Sequence, residues 1–202
     1  MPICSSSKAI LQEIKLKNSE ATYWEKKKQL IEKYDILSSS YDDLYKDEQR
    51  EKYNLLFNNF RHFLNANLIL GDFGCGTGLL ESYLQNEQVV GIDFSKKSLE
   101  IAKRKGKKSM YILADIEFPP FRKNCLDLIV MFTVIHHINN PVDLIRKLML
   151  LIRKAMIISV LKKTETAELL QTLIKSFPEA KVLNSQKSKD VIIVIEKTRV
   201  IQ

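Results

Sequence analysis

Residues 71–78 read Gly71-Asp72-Phe73-Gly74-Cys75-Gly76-Thr77-Gly78, and they close an apolar run that begins at Leu68. Glycine adopts positive φ without strain and lets a ligand approach the backbone closely. In open α/β sheets, ligands bind beyond the carboxyl ends of the strands. The stretch therefore predicts a strand over Leu68–Phe73, a ligand-binding turn at its three last glycines, and a helix over Gly78–Gln85. The alternative is a tight turn that binds nothing.

The glycine spacing distinguishes between two kinds of ligand. A dinucleotide-binding loop has the pattern G-x-G-x-x-G, which places pyrophosphate at a helix N-terminus. Counted from Gly74, that pattern needs glycine at position 79, where the chain has Leu79, and counted from Gly76 it meets Glu81. This excludes a nicotinamide oxidoreductase. The observed spacing is G-x-G-x-G, and the preceding Asp72 can meet a cationic group of a ligand.

From Leu68 onward, β-rich runs alternate with amphipathic segments, which predicts an α/β fold with a mainly parallel sheet and helices on both faces. The link between the last two strands is short enough for a hairpin, so one terminal strand should be antiparallel. The predicted helices, besides Gly78–Gln85, are Lys96–Lys105, Pro141–Arg153 and Thr164–Ser176. The seven predicted strands are Leu68–Phe73, Gln88–Asp93, Met110–Ala114, Leu126–Thr133, Ala155–Leu161, Ala180–Leu183 and Val191–Glu196.

The first third of the chain differs from the rest in its glycine content and in the spacing of its apolar residues. Residues 1–67 contain no glycine, and apolar residues at helical spacing predict helices over Ala21–Ile36 and Asp47–Leu64. The serines at positions 38–40 predict a stop between these helices. The chain is therefore divided into an N-terminal helical extension or lid, residues 1–67, and an α/β domain, residues 68–202.

Acidic residues follow the second and third predicted strands. Asp93 ends the second strand, where a carboxylate can accept hydrogen bonds from both hydroxyls of a ribose. Asp115 follows the third strand and can bond an adenine amino group, while Ile116 packs on the ring. The fourth strand opens on Asp127 and ends near Phe132. Together with the glycine turn, these positions form four landmarks in a fixed order.

The four landmarks resemble the class I S-adenosylmethionine-dependent methyltransferase family, over about Leu68 to Leu161. The resemblance implies a Rossmann-like sheet of seven strands, S-adenosyl-L-methionine as the cofactor, and no metal ion. It also implies a set of cofactor-binding residues, which are Asp72, Gly74, Cys75, Gly76, Gly78, Asp93, Phe94, Asp115, Ile116, Phe132 and Tyr41.

Two further stretches resemble one branch of that family, the ubiquinone-biosynthesis methyltransferases. Residues 134–138 contain a His-His pair, and Tyr34-Asp35 and Tyr41-Asp42 resemble that branch's repeats, which cover the cofactor. His136 is the candidate catalytic base, and the alternative is that both histidines only pack or cap a helix. No Asn-Pro-Pro-Tyr or Asp-Pro-Pro-Tyr follows the fourth strand, which disfavours methylation of planar nitrogens.

Composition limits the remaining possibilities. The three cysteines are widely spaced with no C-x-x-C, which disfavours a disulfide framework and a zinc site. No signal pattern and no membrane-length apolar run occurs, so a cytoplasmic location without membrane contact is expected.

The net charge of +8 favours an anionic partner, and RNA is the first candidate. The alternative explanation of the positive net charge is a proteome in which many proteins are basic. tRNA or rRNA is therefore the favoured acceptor by a small margin over a small metabolite. An inactive cofactor-binding subunit is a third possibility, and the need for a small activator subunit stays open.

Overall fold

The computed structural model describes residues 22–60, 68–84, 88–105, 109–163 and 166–197. Residues 1–21 of the predicted extension lie outside this part of the chain, as does the junction at residues 61–67. The division into two regions at residue 68 stays a prediction.

The described helices are α1, residues 22–37, and α2, Tyr41–Phe60, followed by α3, Lys96–Arg104, α4, Pro141–Met149, and α5, Ala167–Ser176. Short 3₁₀ helices cover Leu80–Ser82 and Ile135–His137. The strands are β1 to β7 in chain order: Ile69–Phe73, Gln88–Asp93, Met110–Leu113, Leu126–Met131, Ile152–Leu161, Lys181–Asn184 and Asp190–Glu196.

The strands form one seven-stranded sheet in the order β3-β2-β1-β4-β5-β7-β6. Strands β1 to β5 pair in parallel, and β7 runs antiparallel to both β5 and β6. The predicted Rossmann-like architecture with an antiparallel strand near its end is confirmed. The chain leaves β1 toward β2 on one side, and β4 pairs with the other side of β1. The crevice beyond the carboxyl ends of β1 and β4 is therefore the expected binding place.

The core has two layers because successive strand residues face opposite sides of the sheet. On β4, Ile129 and Met131 pack with Ile145 and Leu148 of α4. Their neighbours Leu128 and Val130 pack in the other layer, which also contains Tyr53 and Leu56 of α2. Helices thus cover both faces, and α2 of the N-terminal region is part of the core.

The predicted helix at Gly78–Gln85 is wrong over the described residues, which hold only the 3₁₀ helix Leu80–Ser82. Gly76 and Gly78 have φ of 53° and 71°, which are outside the helical range, so the chain is still turning there. Strand β4 stops at Met131 because Thr133 has a φ of 60°. Helix α4 ends at Met149, and β5 begins at Ile152, three residues earlier than predicted. No glycine or proline marks this turn.

Within the described residues, no helix is long and apolar enough to cross a membrane. The same residues contain no group of three or more metal-binding side chains. Cys75 and Cys125 are free cysteines.

A buried ion pair joins α2 to the sheet. Lys52 of α2 and Asp190 at the start of β7 are both fully buried, with 3.2 Å between Nζ and Oδ2. Lys52 also pairs with Glu48 at 3.1 Å and donates a hydrogen bond to the Thr133 hydroxyl at 2.6 Å. The ammonium group therefore has three oxygen partners, which offset the cost of removing it from water.

We expect Lys52→Ala to lower the free energy of unfolding by about 3–5 kcal/mol, because it leaves the Asp190 carboxylate buried without its counter-charge. Urea denaturation measures the change. Lys46→Ala, an exposed lysine on the same helix, is the control and should change stability by less than about 0.5 kcal/mol. The double substitution Lys52→Met with Asp190→Leu should recover much of the loss. A Lys52→Ala variant as stable as the control would contradict this account.

Candidate functional site

A cavity of about 680 Å³, including its open mouth, lies at the carboxyl ends of the strands. The sheet side supplies the end of β2 with the loops that follow β1, β2, β3 and β4, and the other wall comes from α1 and the start of α2. The lining residues are Lys27, Leu30, Tyr34, Tyr41, Gly74, Gly76, Asp93, Phe94, Ser98, Asp115, Ile116, Phe132, Thr133, Val134, His137 and Ile138.

The glycine turn after β1 has the backbone shape that its sequence predicts. Gly74 has a φ of 83°, and a Cβ there would collide with Val134. Gly76 has a φ of 53°, and a Cβ there would meet no atom within 4 Å. The backbone at Gly76 therefore borders open space in the cavity, where a ligand can lie against it. Gly74 and Cys75 donate their backbone N–H groups to Ile92 O at 2.7 and 3.1 Å, which ties the turn to β2.

Asp93 is held in a fixed orientation by backbone donors. Its Oδ2 accepts from Gly76 N and its Oδ1 from Ser95 N, both at 2.8 Å. Burial raises the pKa of Asp93 to about 6, against the lowering effect of these hydrogen bonds. Each carboxylate oxygen keeps a further acceptor position. The two acceptor oxygens therefore fit two adjacent ligand hydroxyls, as on the ribose of a nucleoside.

Asp115 contacts a residue that the sequence did not single out. Lys27 of α1 pairs with Asp115 at 2.5 Å and also with Glu117, and both Lys27 and Asp115 line the cavity. Burial lowers the pKa of Lys27, but its hydrogen bonds to Asp115, Glu117 and Tyr23 outweigh this and raise the pKa above its ordinary value. The carboxylate predicted to bond an adenine amino group therefore already accepts from a nitrogen donor.

The two Tyr-Asp pairs attach the lid, defined here as α1 with the first turn of α2. Tyr34 and Tyr41 line the cavity. Asp35 accepts a hydrogen bond from the Ser95 hydroxyl at 2.6 Å, and thus holds the turn that follows Asp93.

Asp42 plays the matching part at the glycine turn. It accepts from the hydroxyl of Thr77 and pairs with Lys105 at 2.6 Å. In each pair the tyrosine therefore covers the cavity, while the aspartate fastens the lid to a loop that forms it.

Of the two histidines, His137 lines the cavity, and its Nε2 is 3.0 Å from the Tyr34 hydroxyl. His136 lies beside it, with 4.0 Å between ring centroids, and its buried Nδ1 has no hydrogen-bond partner in the described part of the chain. Burial and nearby positive charges lower the pKa of each imidazole to about 4. Both rings are neutral at pH 7, but so low a pKa makes a weak base. A catalytic role for His136 stays a prediction.

Three predicted cofactor residues do not line the cavity: Asp72, Cys75 and Gly78. Asp72 is buried, and desolvation with the neighbouring charges of Glu81 and Asp93 raises its pKa well above the usual range. Cys75 is also buried, and its Sγ would collide with a Cβ at Gly91. These residues lie on the side of the turn that faces away from the cavity, and they support its shape.

A second cavity, of about 1160 Å³ with its open mouth, adjoins the first. Tyr34, Tyr41 and Thr133 line both cavities, so the two meet at these side chains. The other lining residues come from the lid, α2, the end of β5 and the loop before β7. They are Lys33, Leu37, Tyr45, Glu48, Gln49, Leu161, Lys162, Lys163 and Lys189.

Comparison with known families decides the family of this domain. The family model described as a methyltransferase domain matches residues 71–158, which contain the glycine turn, Asp93 and Asp115. This part of the chain is similar to the methyltransferase-domain family. The match and the strand order confirm the family predicted from the sequence.

Two curated relatives match this methyltransferase domain. An uncharacterised protein of Methanocaldococcus jannaschii is 37% identical over 113 residues, which cover 54% of this chain and 41% of the relative. The ubiquinone biosynthesis O-methyltransferase of Pelagibacter ubique is 36% identical over 106 residues, 48% of this chain and 44% of the relative. The chain thus spans less than half the length of these curated relatives.

Solved structures share the fold at low sequence identity. A candidate S-adenosyl-L-methionine-dependent methyltransferase of Methanococcus maripaludis has a TM-score of 0.64 and 16% identity, with 80% of this chain and 92% of that chain covered. The candidate methyltransferase in a complex with the Haloferax volcanii Trm112 activator has a TM-score of 0.60 and 11% identity, with 80% of this chain and 96% of that chain covered. At these identities the likeness shows the fold alone.

We expect Asp35→Ala to loosen the lid, because the substitution removes the acceptor of the Ser95 hydroxyl hydrogen bond. Amide hydrogen exchange over residues 22–37 should become roughly tenfold faster or more, as expected for the loss of a hydrogen bond to a charged group. Glu32→Ala on the same helix is the control, because it makes the same change at an exposed position. Equal exchange in the two variants would show that Asp35 does not hold α1.

Proposed function

We propose that this methyltransferase domain binds S-adenosyl-L-methionine in the first cavity and transfers its methyl group to an acceptor. One observation carries the proposal: the oriented carboxylate of Asp93 borders the same cavity as the open backbone of Gly76. The carboxylate suits the ribose hydroxyls, and Ile116 with Phe94 supplies apolar surface for a flat base.

The bound cofactor would supply an activated sulfonium methyl group. The residues of this chain position the reactants and exclude water. These two effects are expected to supply most of the acceleration. Gly76 and Asp93 fix the nucleoside, while Tyr34 and Tyr41 close the cavity from the lid side. The weakly basic histidines favour an acceptor that needs little help in losing a proton.

The first test is a calorimetric titration of the protein with S-adenosyl-L-methionine at pH 8. We expect binding, and a loss of about a hundredfold in affinity for Asp93→Ala, because two hydrogen bonds to a charged group disappear. Glu100→Ala, an exposed carboxylate on α3, is the control and should bind as the unaltered protein does. No binding by the unaltered protein would overturn the proposal.

The same titration should depend on pH. The pKa of Asp93 is about 6, so lowering the pH through 6 protonates the carboxylate and removes acceptor capacity. Affinity should fall by up to about tenfold per pH unit below 6. Burial also raises the pKa of Glu81 to about 7, so Asp93→Asn serves to isolate the contribution of Asp93. A pH dependence that survives in Asp93→Asn would belong to another group.

For the acceptor, the second cavity favours a small molecule over RNA. It lies between the lid and the end of β5, and tyrosines and Thr133 form the part where it joins the first cavity. A concave site of this kind suits a molecule that enters it, whereas an RNA backbone needs an open basic surface. The net charge of +8 is the observation that supports RNA.

Methyl transfer from labelled cofactor into separate RNA and small-molecule extracts tests the choice of acceptor. We expect label in the small-molecule extract and less than about a tenth as much in RNA. Label in RNA that depends on Asp93 would restore RNA as the acceptor. An inactive cofactor-binding subunit would bind the cofactor and label neither extract.

A partner subunit and a cytoplasmic location stay predictions. An activator accompanies the Haloferax volcanii methyltransferase of the same fold. In this chain β3 is an edge strand on which Met110 and Leu113 are exposed, and we propose it as the place where such a subunit would add a strand.

A further inference from the structure

Thr133 stands where the two cavities meet, in a backbone conformation that few residues adopt. Its φ is 60°, and its N–H lies 2.8 Å from the Ser159 hydroxyl. Such a conformation is costly for a β-branched residue and is retained where the surroundings enforce it. The surroundings here fix the Thr133 side chain at the junction.

The Thr133 hydroxyl is oriented by a buried cation. Lys52 Nζ donates to Thr133 Oγ1 at 2.6 Å, and an ammonium group cannot accept a hydrogen bond in return. The Thr133 proton is therefore directed to some other acceptor. Gln49 Nε2 also donates to Thr133 Oγ1, at 3.4 Å, and an amide NH2 group cannot take this proton either. An oxygen atom of a ligand at the junction can take this proton.

The second cavity carries positive charge. Four lysines line it, and Glu48 is the one carboxylate among its lining residues in the described part of the chain. Glu48 already pairs with Lys52 at 3.1 Å and Lys189 at 3.0 Å.

Two of the four lysines are free to meet a ligand. Lys33 and Lys163 have no carboxylate partner in the described residues, and Lys162 donates to the backbone oxygens of Ser185 and Ser188. Lys33 of the lid and Lys163 after β5 both line the cavity together with Thr133. An anion in the cavity would meet donors and positive charge on several sides.

We propose that the second cavity is the methyl-acceptor site and that its acceptor is an anionic small molecule. An oxygen of the acceptor takes the hydrogen bond of the Thr133 hydroxyl, and its negative charge faces Lys33 and Lys163. The inference rests on the proposed function, and it names the acceptor class of that same site. Thr133 is a residue that contacts the acceptor, and Lys52 is a positioning residue acting through it.

The test uses a small-molecule extract that is split on an anion-exchange column at pH 8 into retained and unretained fractions. Each fraction is incubated with the full chain and labelled S-adenosyl-L-methionine, next to a total RNA sample. We expect label in the products of the retained fraction alone. Label that comes mainly from the unretained fraction or from RNA would overturn the proposal, as would no label in any sample from protein that binds the cofactor.

Substitutions at Thr133 test the hydrogen bond. Thr133→Val keeps the shape and removes the hydroxyl, so we expect at least about a tenfold loss in the rate of transfer. Thr133→Ser keeps the hydroxyl and should restore most of the rate. Cofactor affinity, measured by calorimetry, should fall much less than the rate in Thr133→Val, although Thr133 also lines the first cavity. A Thr133→Val variant as active as Thr133→Ser would overturn the role of the hydroxyl.

Charge reversal tests the lysines. Lys33→Glu with Lys163→Glu should raise the KM for the retained fraction by about tenfold or more, with a smaller effect on kcat. Lys175→Glu, an exposed lysine on α5 outside both cavities, is the control and should leave both constants unchanged. An unchanged KM in the double variant would contradict the anion site. Failure of the unaltered protein to bind the cofactor would instead overturn the proposed function.

Discussion

The hydrogen bond from Gly76 N to Asp93 Oδ2, 2.8 Å long, is the contact on which the site depends. It joins the turn after β1 to the end of β2, so one bond fixes both the backbone and the carboxylate that border the cavity. In this turn Gly76 has a φ of 53°, a conformation that glycine adopts without strain. A side chain there would strain the turn and extend into the ligand space. The geometry of this bond thus explains the glycine at 76 and the acid at 93 together.

The sequence predicts the sheet and the cofactor side of the site because both depend on local patterns. β1 and β4 are apolar runs of strand length, and the glycines after β1 indicate the turn. The prediction of a helix at Gly78–Gln85 was wrong because the glycine turn continues through Gly78, which has a φ of 71°. The turn between α4 and β5 has no such marker, which explains the error at Ile152.

The acceptor side depends on contacts across long sequence distances, which no local pattern shows. Lys52 reaches Thr133 and Asp190, residues 81 and 138 positions away, and in the sequence it is one of two lysines on α2. Lys27 and Asp115 are likewise joined only by the fold. The Tyr-Asp pairs did mark the lid, but the role of each aspartate required the positions of Ser95 and Thr77.

The buried Lys52 poses a question of energetics that bears on function. A buried ion pair is often no more stabilising than well-packed apolar residues, since the cost of removing two charges from water cancels much of their attraction. A methionine at position 52 and a leucine at position 190 would therefore stabilise the fold as well as the ion pair does. Apolar residues cannot donate a hydrogen bond to Thr133. Lys52 does so, and it leaves the hydroxyl proton of Thr133 available to a ligand. The charge of Asp190 offsets part of the cost of burying Lys52 in that position. The pair is thus better explained by the site that it orients than by the fold that it joins.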